Sequence, residues 1–475
     1  MTNRVKTIFA NMSWLMVSQV IVSICAFVWT IVTARYLGPS VYGIFGTAVS
    51  FAALFGIVID FGLPTYLVRA IATDFEHEHK YLDNAISLKI FLSIFYVLIV
   101  FLSVLVLGWE SKLVAACVIV ACENIIKSYH AVLFASFQAH EKMKYQALTN
   151  IILNVFTLIF ILLVCCTDFA LWGILAAYIA GNFIALIYEV YALRKHIIKP
   201  KLTFDFSFYR VLLKEGLPFA LNGLFYTLYY SIDIVMLTHF STTYNTGLYN
   251  STYKLITVLT LFYTIYSSVV FPVMSKLFKN EKDLLKLSFV KSIKYLSLVT
   301  IPIAVFCFFY GFDIINIYGA QYVEAGSILK ILIWTVCFLF VNGACSLVLN
   351  ASHEEYSVTK IYSIAALFNI VLNIILIPKY SVYGASFATV LSEILILFLQ
   401  LYMLRKINQL PDKHIIYDML RICLASGVLA IILYYLNLNM WVAMPVSIVV
   451  YFAVIIAIRT FDQEDKLIVK QIINR

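Results

Sequence analysis

Charged side chains inside otherwise apolar segments are where this sequence offers chemistry. Burying one in lipid costs at least about 2.5 kcal/mol unless it faces protein or water. Glu123, Lys127 and His130 are spaced four and then three residues apart, so one helix face carries all three. Two readings fit them: a Glu–Lys pair that neutralises itself inside a bundle, or a polar stripe on a cavity wall. His130 is either a group that titrates near neutral pH or a hydrogen-bonded bundle histidine. Asp233 follows Tyr226, Tyr229 and Tyr230 in another apolar run. A carboxylate there suits a coupling cation or proton, or else a bond to a neighbouring helix. The tyrosines suit stacking on sugars, although tyrosine is also common where spans meet the membrane interface. Arg35 and Arg69 flank the second apolar run. Both have the forked donors that hold a phosphate, and Arg69 equally suits a basic loop anchor. Lys254, Glu189, Glu393 and Arg421 complete the set, with Glu189 and Arg421 near enough to segment ends to snorkel.

The elements that must hold these groups are membrane-spanning helices. Hydrophobic residues make up 63% of the 475 positions and charged residues only 12%, whereas soluble domains carry about twice that charge. Residues 91–107 and 151–166 contain no charge at all. A helix needs roughly 20 mostly apolar residues to cross a bilayer. Only helices and closed barrels satisfy their backbone there, and these runs lack the alternation of barrel strands. The net charge of +9 is explained by basic cytoplasmic loops, and no nucleic acid partner is expected. The nine cysteines fall in apolar segments without metal-ligand spacing, so they are read as packing residues and no metal is expected. The run 11–33, preceded by Arg4 and Lys6, is too long for the core of a signal peptide and reads as a retained first span.

About fourteen spans are expected, at 11–33, 42–62, 84–107, 113–137, 147–166, 169–193, 215–239, 249–273, 289–310, 325–350, 357–377, 382–404, 415–436 and 440–458. With the N-terminus in the cytoplasm, the inside connections carry Arg69 and Lys80, Lys142 and Lys144, the 194–210 cluster, Lys276 to Lys286, and Arg405, Lys406 and Lys413. The outside connections carry only Arg35, Lys112 and Lys379. That asymmetry is the positive-inside pattern. One inside loop, 352–356, breaks it: His353, Glu354 and Glu355 come with no Lys or Arg. An even count returns the tail 459–475 to the cytoplasm.

An internal repeat organises the spans. Trp172-Gly173 through Arg194-Lys195 resembles Tyr383-Gly384 through Arg405-Lys406, an offset of 211 (384 − 173). His140-Glu141 resembles His353-Glu354, Tyr42-Gly43 resembles Thr246-Gly247, and Pro64, closing the second span, resembles Pro272, closing the eighth. The implied architecture is all-α and polytopic: a six-helix bundle over 1–195, a basic cytoplasmic linker over 196–213, a second six-helix bundle over 214–406, and two further helices with a cytoplasmic tail over 407–475. Both bundles enter from the same side, so the repeat is parallel, an arrangement that puts a substrate path between the halves of secondary transporters. The seventh span, with Asp233, should then face the first. Pro64, Pro218, Pro272 and Pro302 are read as helix-boundary residues or pivots. GxxxxGK[ST], HExxH and GxSxG motifs are absent, so neither nucleotide use nor hydrolysis is expected.

Particular motifs resemble those of a known family. Ala34-Arg35-Tyr36-Leu37-Gly38-Pro39 with Tyr42-Gly43-Ile44-Phe45 is similar to the first extracytoplasmic loop of polysaccharide-export flippases. Asp60-Phe61-Gly62-Leu63-Pro64 with Leu67-Val68-Arg69, Ile232 through Leu237, and Gly247-Leu248-Tyr249 are similar to later motifs of the same proteins. The chain thus resembles Wzx-type O-antigen and capsule flippases of the multidrug/oligosaccharidyl-lipid/polysaccharide exporter superfamily. The resemblance implies translocation of undecaprenyl-diphosphate-linked oligosaccharide across the bacterial inner membrane by alternating access. It implies partnership with a polysaccharide polymerase and chain-length proteins, and no cofactor beyond a proton or sodium gradient. A diphosphate calls for cations, which makes Arg35, Arg69, Lys127 and Lys254, with Glu123 and His130 beside them, the cavity candidates, and Asp233 the coupling-ion candidate. A cation-coupled multidrug antiporter, a lipid II flippase and a non-transporting scaffold of a polysaccharide assembly complex are the alternatives.

Overall fold

The computed structural model describes residues 2–412, 414–462 and 465. Lys413 and, of the expected tail, residues 463, 464 and 466–475 lie outside the described residues, as do the side chains of Arg4 and Lys6. Among the described residues the regular structure is entirely helical. The principal helices are α1 (Thr2–Leu54), α2 (Gly56–Asp60), α3 (Leu63–Thr73), α4 (Glu78–Leu107), α5 (Ser111–Ala139), α6 (Met143–Val164), α7 (Ala170–His196), α8 (Phe206–Phe240), α9 (Thr243–Asn280), α10 (Lys282–Phe309), α11 (Gly311–Ile315), α12 (Ala325–Ala351), α13 (Glu355–Lys406), α14 (His414–Leu436) and α15 (Met440–Ala457).

Every expected span lies on helix, the second of them with interruptions. Among the described residues twelve helices are long and apolar enough to cross a membrane, and α8 makes a thirteenth when its two parts, 206–221 and 223–240, are counted together. α13 runs for 52 residues with a non-helical break at Ser381, so it holds the two spans expected at 357–377 and 382–404. α1 is likewise long enough for two passes and breaks at Gly38, whose φ of 69° falls in the left-handed region. The expected loop 34–39 is therefore helix up to that single residue.

The expected proline boundaries need correction. The second span does not close at Pro64. It is interrupted after Leu54 and again at Phe61 and Gly62, and helix resumes as α3 with Pro64 in its first turn. A first-turn residue has no intrahelical use for its N–H, so proline opens a helix there at no cost. Pro272 lies inside α9, which runs on to Asn280, and Pro218 and Pro302 lie inside α8 and α10 rather than at their ends.

The chain forms two compact units, residues 1–250 and 251–475. In the first, α6 packs against α1 and α7, and α5 packs against α3, α4, α7 and α1. A core of Leu63, Leu67, Ile71, Leu88, Leu133 and Phe137 fills the space around α3. α8 lies along α1 and α3, so the seventh span does face the first, in direct contact. The start of α9 joins that contact through glycine. A Cβ on Gly43 would stand 1.8 Å from the Thr243 carbonyl oxygen, and one on Gly247 would stand 1.9 Å from that of Pro39. The two approaches are reciprocal, since Gly43 and Gly247 differ by the same 204 positions as Pro39 and Thr243. Only residues without a side chain let backbones come this close. In the second unit, α10 packs against α12 and α14, α12 against α13, and α14 against α15. Ile422, Ala425, Leu429, Tyr451 and Ile455 form the core that seats the last two helices on α10.

Candidate functional site

The stripe on α5 is built into the first unit by α7. Lys127 Nζ lies 2.7 Å from Glu123 Oε1, with the Lys127 side chain 45% exposed and that of Glu123 only 3% exposed. The self-neutralising pair therefore exists, and its cationic end reaches the surface of the unit. Asn182 of α7 donates from Nδ2 to the same Glu123 oxygen at 3.1 Å. His130 is buried and turns the other way. Its Nε2 lies 3.1 Å from the Asn182 carbonyl oxygen, and its Nδ1 contacts Glu189 Oε2. A carbonyl only accepts, so Nε2 carries a hydrogen. One proton then lies between Nδ1 and Oε2, on the imidazole or on the carboxyl group. Glu189 is wholly buried, and its Oε1 has no hydrogen-bond partner within the protein. This corrects the snorkelling expectation for Glu189: α7 continues to His196, and the residue faces α5 rather than the helix end.

The second unit has a counterpart of this node, and its register corrects the repeat by one residue. Glu141 and His353 are the left-handed turn residues after α5 and α12, with φ of 54° and 63°. The closing bonds Lys142 N–H to Phe137 O and Glu354 N–H to Leu349 O match in the same way. Glu141 therefore corresponds to His353, an offset of 212 (353 − 141), where matching of residue types pairs it with Glu354. His130 then corresponds to Asn342, while at the offset of 211 Asn182 corresponds to Glu393 and Glu189 to Gln400. The bonds agree. Asn342 Nδ2 donates to the Glu393 carbonyl oxygen at 2.9 Å, as His130 does to that of Asn182. It also donates to the Glu393 carboxylate at 2.7 Å, and Gln400 Nε2 donates to Ser346 Oγ at 2.8 Å. One helix crossing is thus built twice, with His and Glu in one half and Asn and Gln at the matching positions of the other.

The remaining candidates do not gather at this node. Asp233 is buried in α8 and accepts from the Tyr249 hydroxyl at 2.9 Å. Beside it Tyr226, Tyr229 and Tyr230 contact one another, with ring centroids 4.6 Å apart for Tyr226–Tyr230 and 5.2 Å for Tyr229–Tyr230. Arg35 stands exposed just before the break in α1, and Arg69 stands exposed on α3. Lys254 is half-buried on α9. Arg421 is exposed, 3.8 Å from Asp418.

Two charge sites were not anticipated. Lys89 of α4 is fully buried, with Nζ 2.8 Å from Asp60 Oδ1 at the interruption between α2 and α3, and the Asp60 side chain is 48% exposed. In the second unit Lys291 and Lys294 of α10 hold the segment after α15. Lys291 Nζ lies 2.6 Å from Asp462 Oδ2 and 2.8 Å from Asp465 Oδ1. Lys294 Nζ lies 2.6 Å from Asp465 Oδ2 and 3.4 Å from Asp418 Oδ2. The Tyr295 hydroxyl donates to Asp465 Oδ1 at 2.7 Å. Burial works to raise the Asp465 carboxyl, but bonds from Lys291, Lys294 and Tyr295 outweigh it and hold the group well below the usual carboxylate range. Asp462 is lowered in the same way: burial raises it, and the bond from Lys291 leads the opposing effects. Among the described residues no group of His, Cys, Asp or Glu is arranged to hold a metal ion.

The polysaccharide biosynthesis protein family model matches residues 8–278, more than half of the chain. The chain belongs to this family. A MatE model matches residues 218–375 as well. Three relatives give the range of likeness. An uncharacterized membrane protein, MJ1068 of Methanocaldococcus jannaschii, is 30% identical over 37% of this chain, which spans only 35% of that protein. The capsular polysaccharide biosynthesis protein CapF of Staphylococcus aureus is 23% identical over 84% of this chain and 99% of its own length. A probable flippase, AglR of Haloferax volcanii, is 24% identical over 59% of this chain and 63% of its own length. In fold, the chain is similar to a lipid II flippase, MurJ, in an inward closed conformation. The TM-score is 0.72 at 17% identity, covering 93% of this chain and 99% of that one. The resemblance drawn from the loop motifs therefore holds at the level of the family: this is a multi-pass member of the polysaccharide biosynthesis proteins, and a probable flippase is among its relatives and a lipid II flippase among its fold neighbours. Within this family fold, the node of α5 and α7 is the feature that joins an exposed cation to a buried acid.

Proposed function

We propose that this chain translocates an undecaprenyl-diphosphate-linked oligosaccharide from the cytoplasmic to the outer leaflet of the bacterial cytoplasmic membrane by alternating access. It acts as a transporter rather than an enzyme, for the synthesis of O-antigen or capsule. The observation that carries the reading is the family match over 8–278, together with likeness to a capsular polysaccharide biosynthesis protein along that protein's whole length. The chemistry agrees with it. A diphosphate needs fixed cations, and Arg35, Arg69 and Lys127 present theirs at exposed positions. The prenyl tail stays in lipid, which a helical bundle open to the bilayer permits. The basic connections support a cytoplasmic side for both termini. Lys254 is a further phosphate contact, and the tyrosines before Asp233 are sugar contacts. A polysaccharide polymerase and chain-length proteins are the expected partners on the far side.

The test is deletion of the gene followed by measurement of lipid-linked glycan in inverted vesicles. Loss of translocation and of surface polysaccharide is expected, and unchanged levels of both rule the reading out. Lys127→Ala and Asp233→Ala should each reduce export at normal protein levels, and full export by both removes these residues from the mechanism. The MatE match over 218–375 favours a second reading, a cation-coupled multidrug antiporter. Drug resistance that disappears with the gene while glycan export continues would select it.

A further inference from the structure

We propose that His130 and Glu189 form a proton-binding site in the first unit, one that takes up and releases a proton in each transport cycle. The proposal rests on the flippase reading for what is transported, but the site itself is argued from the repeat. At equivalent helix crossings the side chain at 130 or 342 donates to the carbonyl of residue 182 or 393. Asn342 does this with a neutral amide, so joining the helices does not require a titratable ring. Gln400, at the position of Glu189, bonds a serine hydroxyl and cannot titrate. The buried acid of the second half, Glu393, faces the amide nitrogen of Asn342, which donates its hydrogen and holds no lone pair to take up a proton. In the first half a buried acid faces a basic nitrogen instead, and the two must share a proton.

The proton balance is simple. With Nε2–H committed to the Asn182 carbonyl, the pair holds one proton between Nδ1 and Oε2 and is neutral overall. Loss of that proton leaves a carboxylate facing the nitrogen lone pair, a repulsive contact between α5 and α7 in a site shielded from water. A further proton has its place on Glu189 Oε1, which is buried and without a partner in the protein. The proton count thus decides whether α5 and α7 attract or repel one another. The site is connected outward by Asn182 to Glu123 and by Glu123 to exposed Lys127. Charged groups on the helices packed around it are engaged elsewhere or exposed. Lys89 of α4 is tied to Asp60, Glu78 of α4 to His140, Tyr145 of α6 stacks on His196, and Arg69 of α3 is exposed. On α5 itself Glu123 and Lys127 neutralise each other.

The test exchanges the first half's node for the second half's. His130→Asn with Glu189→Gln installs side chains that already fold at the same crossing. In wild-type protein in lipid, infrared difference spectra between about pH 5 and 9 should show a carboxylic acid carbonyl band that titrates and disappears in E189Q. In inverted vesicles carrying the cell's own lipid-linked glycan, exchange of one proton per cycle shifts the distribution ratio about tenfold per unit of imposed pH gradient. The double variant should show no such shift. No titrating band in the wild type, an unchanged band in E189Q, or a tenfold dependence kept by the double variant each overturns the proposal. A band that titrates and is lost in E189Q, with no glycan movement by the wild type, leaves the proton site standing and fails the flippase reading instead.

Discussion

The first unit holds charge inside a helix crossing, and the second holds it where the chain leaves the last helix. Glu189 and His130 meet between α5 and α7 with a carboxylate oxygen left over. Lys291 and Lys294 meet Asp462 and Asp465 just beyond α15, with each lysine paired to at least two carboxylates. A buried pair with a spare acceptor and a shared proton has room to gain or lose a proton. A cluster in which two lysines and a tyrosine saturate one carboxylate has no such room, because every proton added must displace a strong bond. The difference separates a place built to respond from a place built to hold.

The largest effect that sharpens this contrast is expected at the clamp. Asp465→Ala leaves two buried lysines short of their partner, and breaking a buried pair in this way costs about 3–5 kcal/mol. Hydrogen exchange resolved by peptide should show the loss in α10, α14 and α15 and leave α5 and α7 protected. Loosening of both units alike would end the distinction. Next in size is Asn342→Ala, which deprives the Glu393 carboxylate and carbonyl of a donor and should cost about 1–3 kcal/mol, measured by thermal unfolding. The pH profile follows. Asp462 and Asp465 are depressed, so their contribution is fully present above the unfolded carboxyl value of about 3.9 and fades as pH falls through the lower folded values. Protection of α10 should therefore stay level from neutral pH down to about pH 4 and drop only in stronger acid, with the acid limb missing in Asp465→Ala. Any pH dependence nearer neutrality should map to α5 and α7. The smallest effect is expected for the double exchange of His130→Asn and Glu189→Gln, which should change stability by less than about 1 kcal/mol while removing that dependence. A large loss of stability there would show that the two crossings are not interchangeable.

The spans were legible because bilayer thickness selects long apolar runs, and such runs are plain in composition. The repeat was legible from glycines and basic pairs, but residue type misled it by one position. His140-Glu141 and His353-Glu354 look alike as letters, whereas the backbone turn is set by which residue takes a positive φ, and that is Glu141 in one half and His353 in the other. The Glu123–Lys127 contact followed directly from helical spacing. The partner of His130 did not, since Glu189 lies 59 residues on and looked like the end of a span. Lys89 gave no sign of its pairing with Asp60, which depends on the interruption at Phe61 and Gly62. The clamp was beyond reach of pattern, because Lys291 and Asp465 are 174 residues apart and only the folding of α14 and α15 onto α10 brings them together. The glycine motif was read as a match between halves, and the structure adds that the two copies touch.

The clamp has a practical bearing on how the topology of this protein can be mapped. Reporter enzymes are commonly fused to successively shortened chains, and each joint is assumed to report the native side. A joint placed after α15 but before Asp465 would keep all the predicted spans yet deprive both Lys291 and Lys294 of the Asp465 carboxylate. The remaining helices would then be free to reseat, and the reporter would describe that reseated chain. Joints placed beyond Asp465, or sandwich insertions that keep the segment, avoid the artefact.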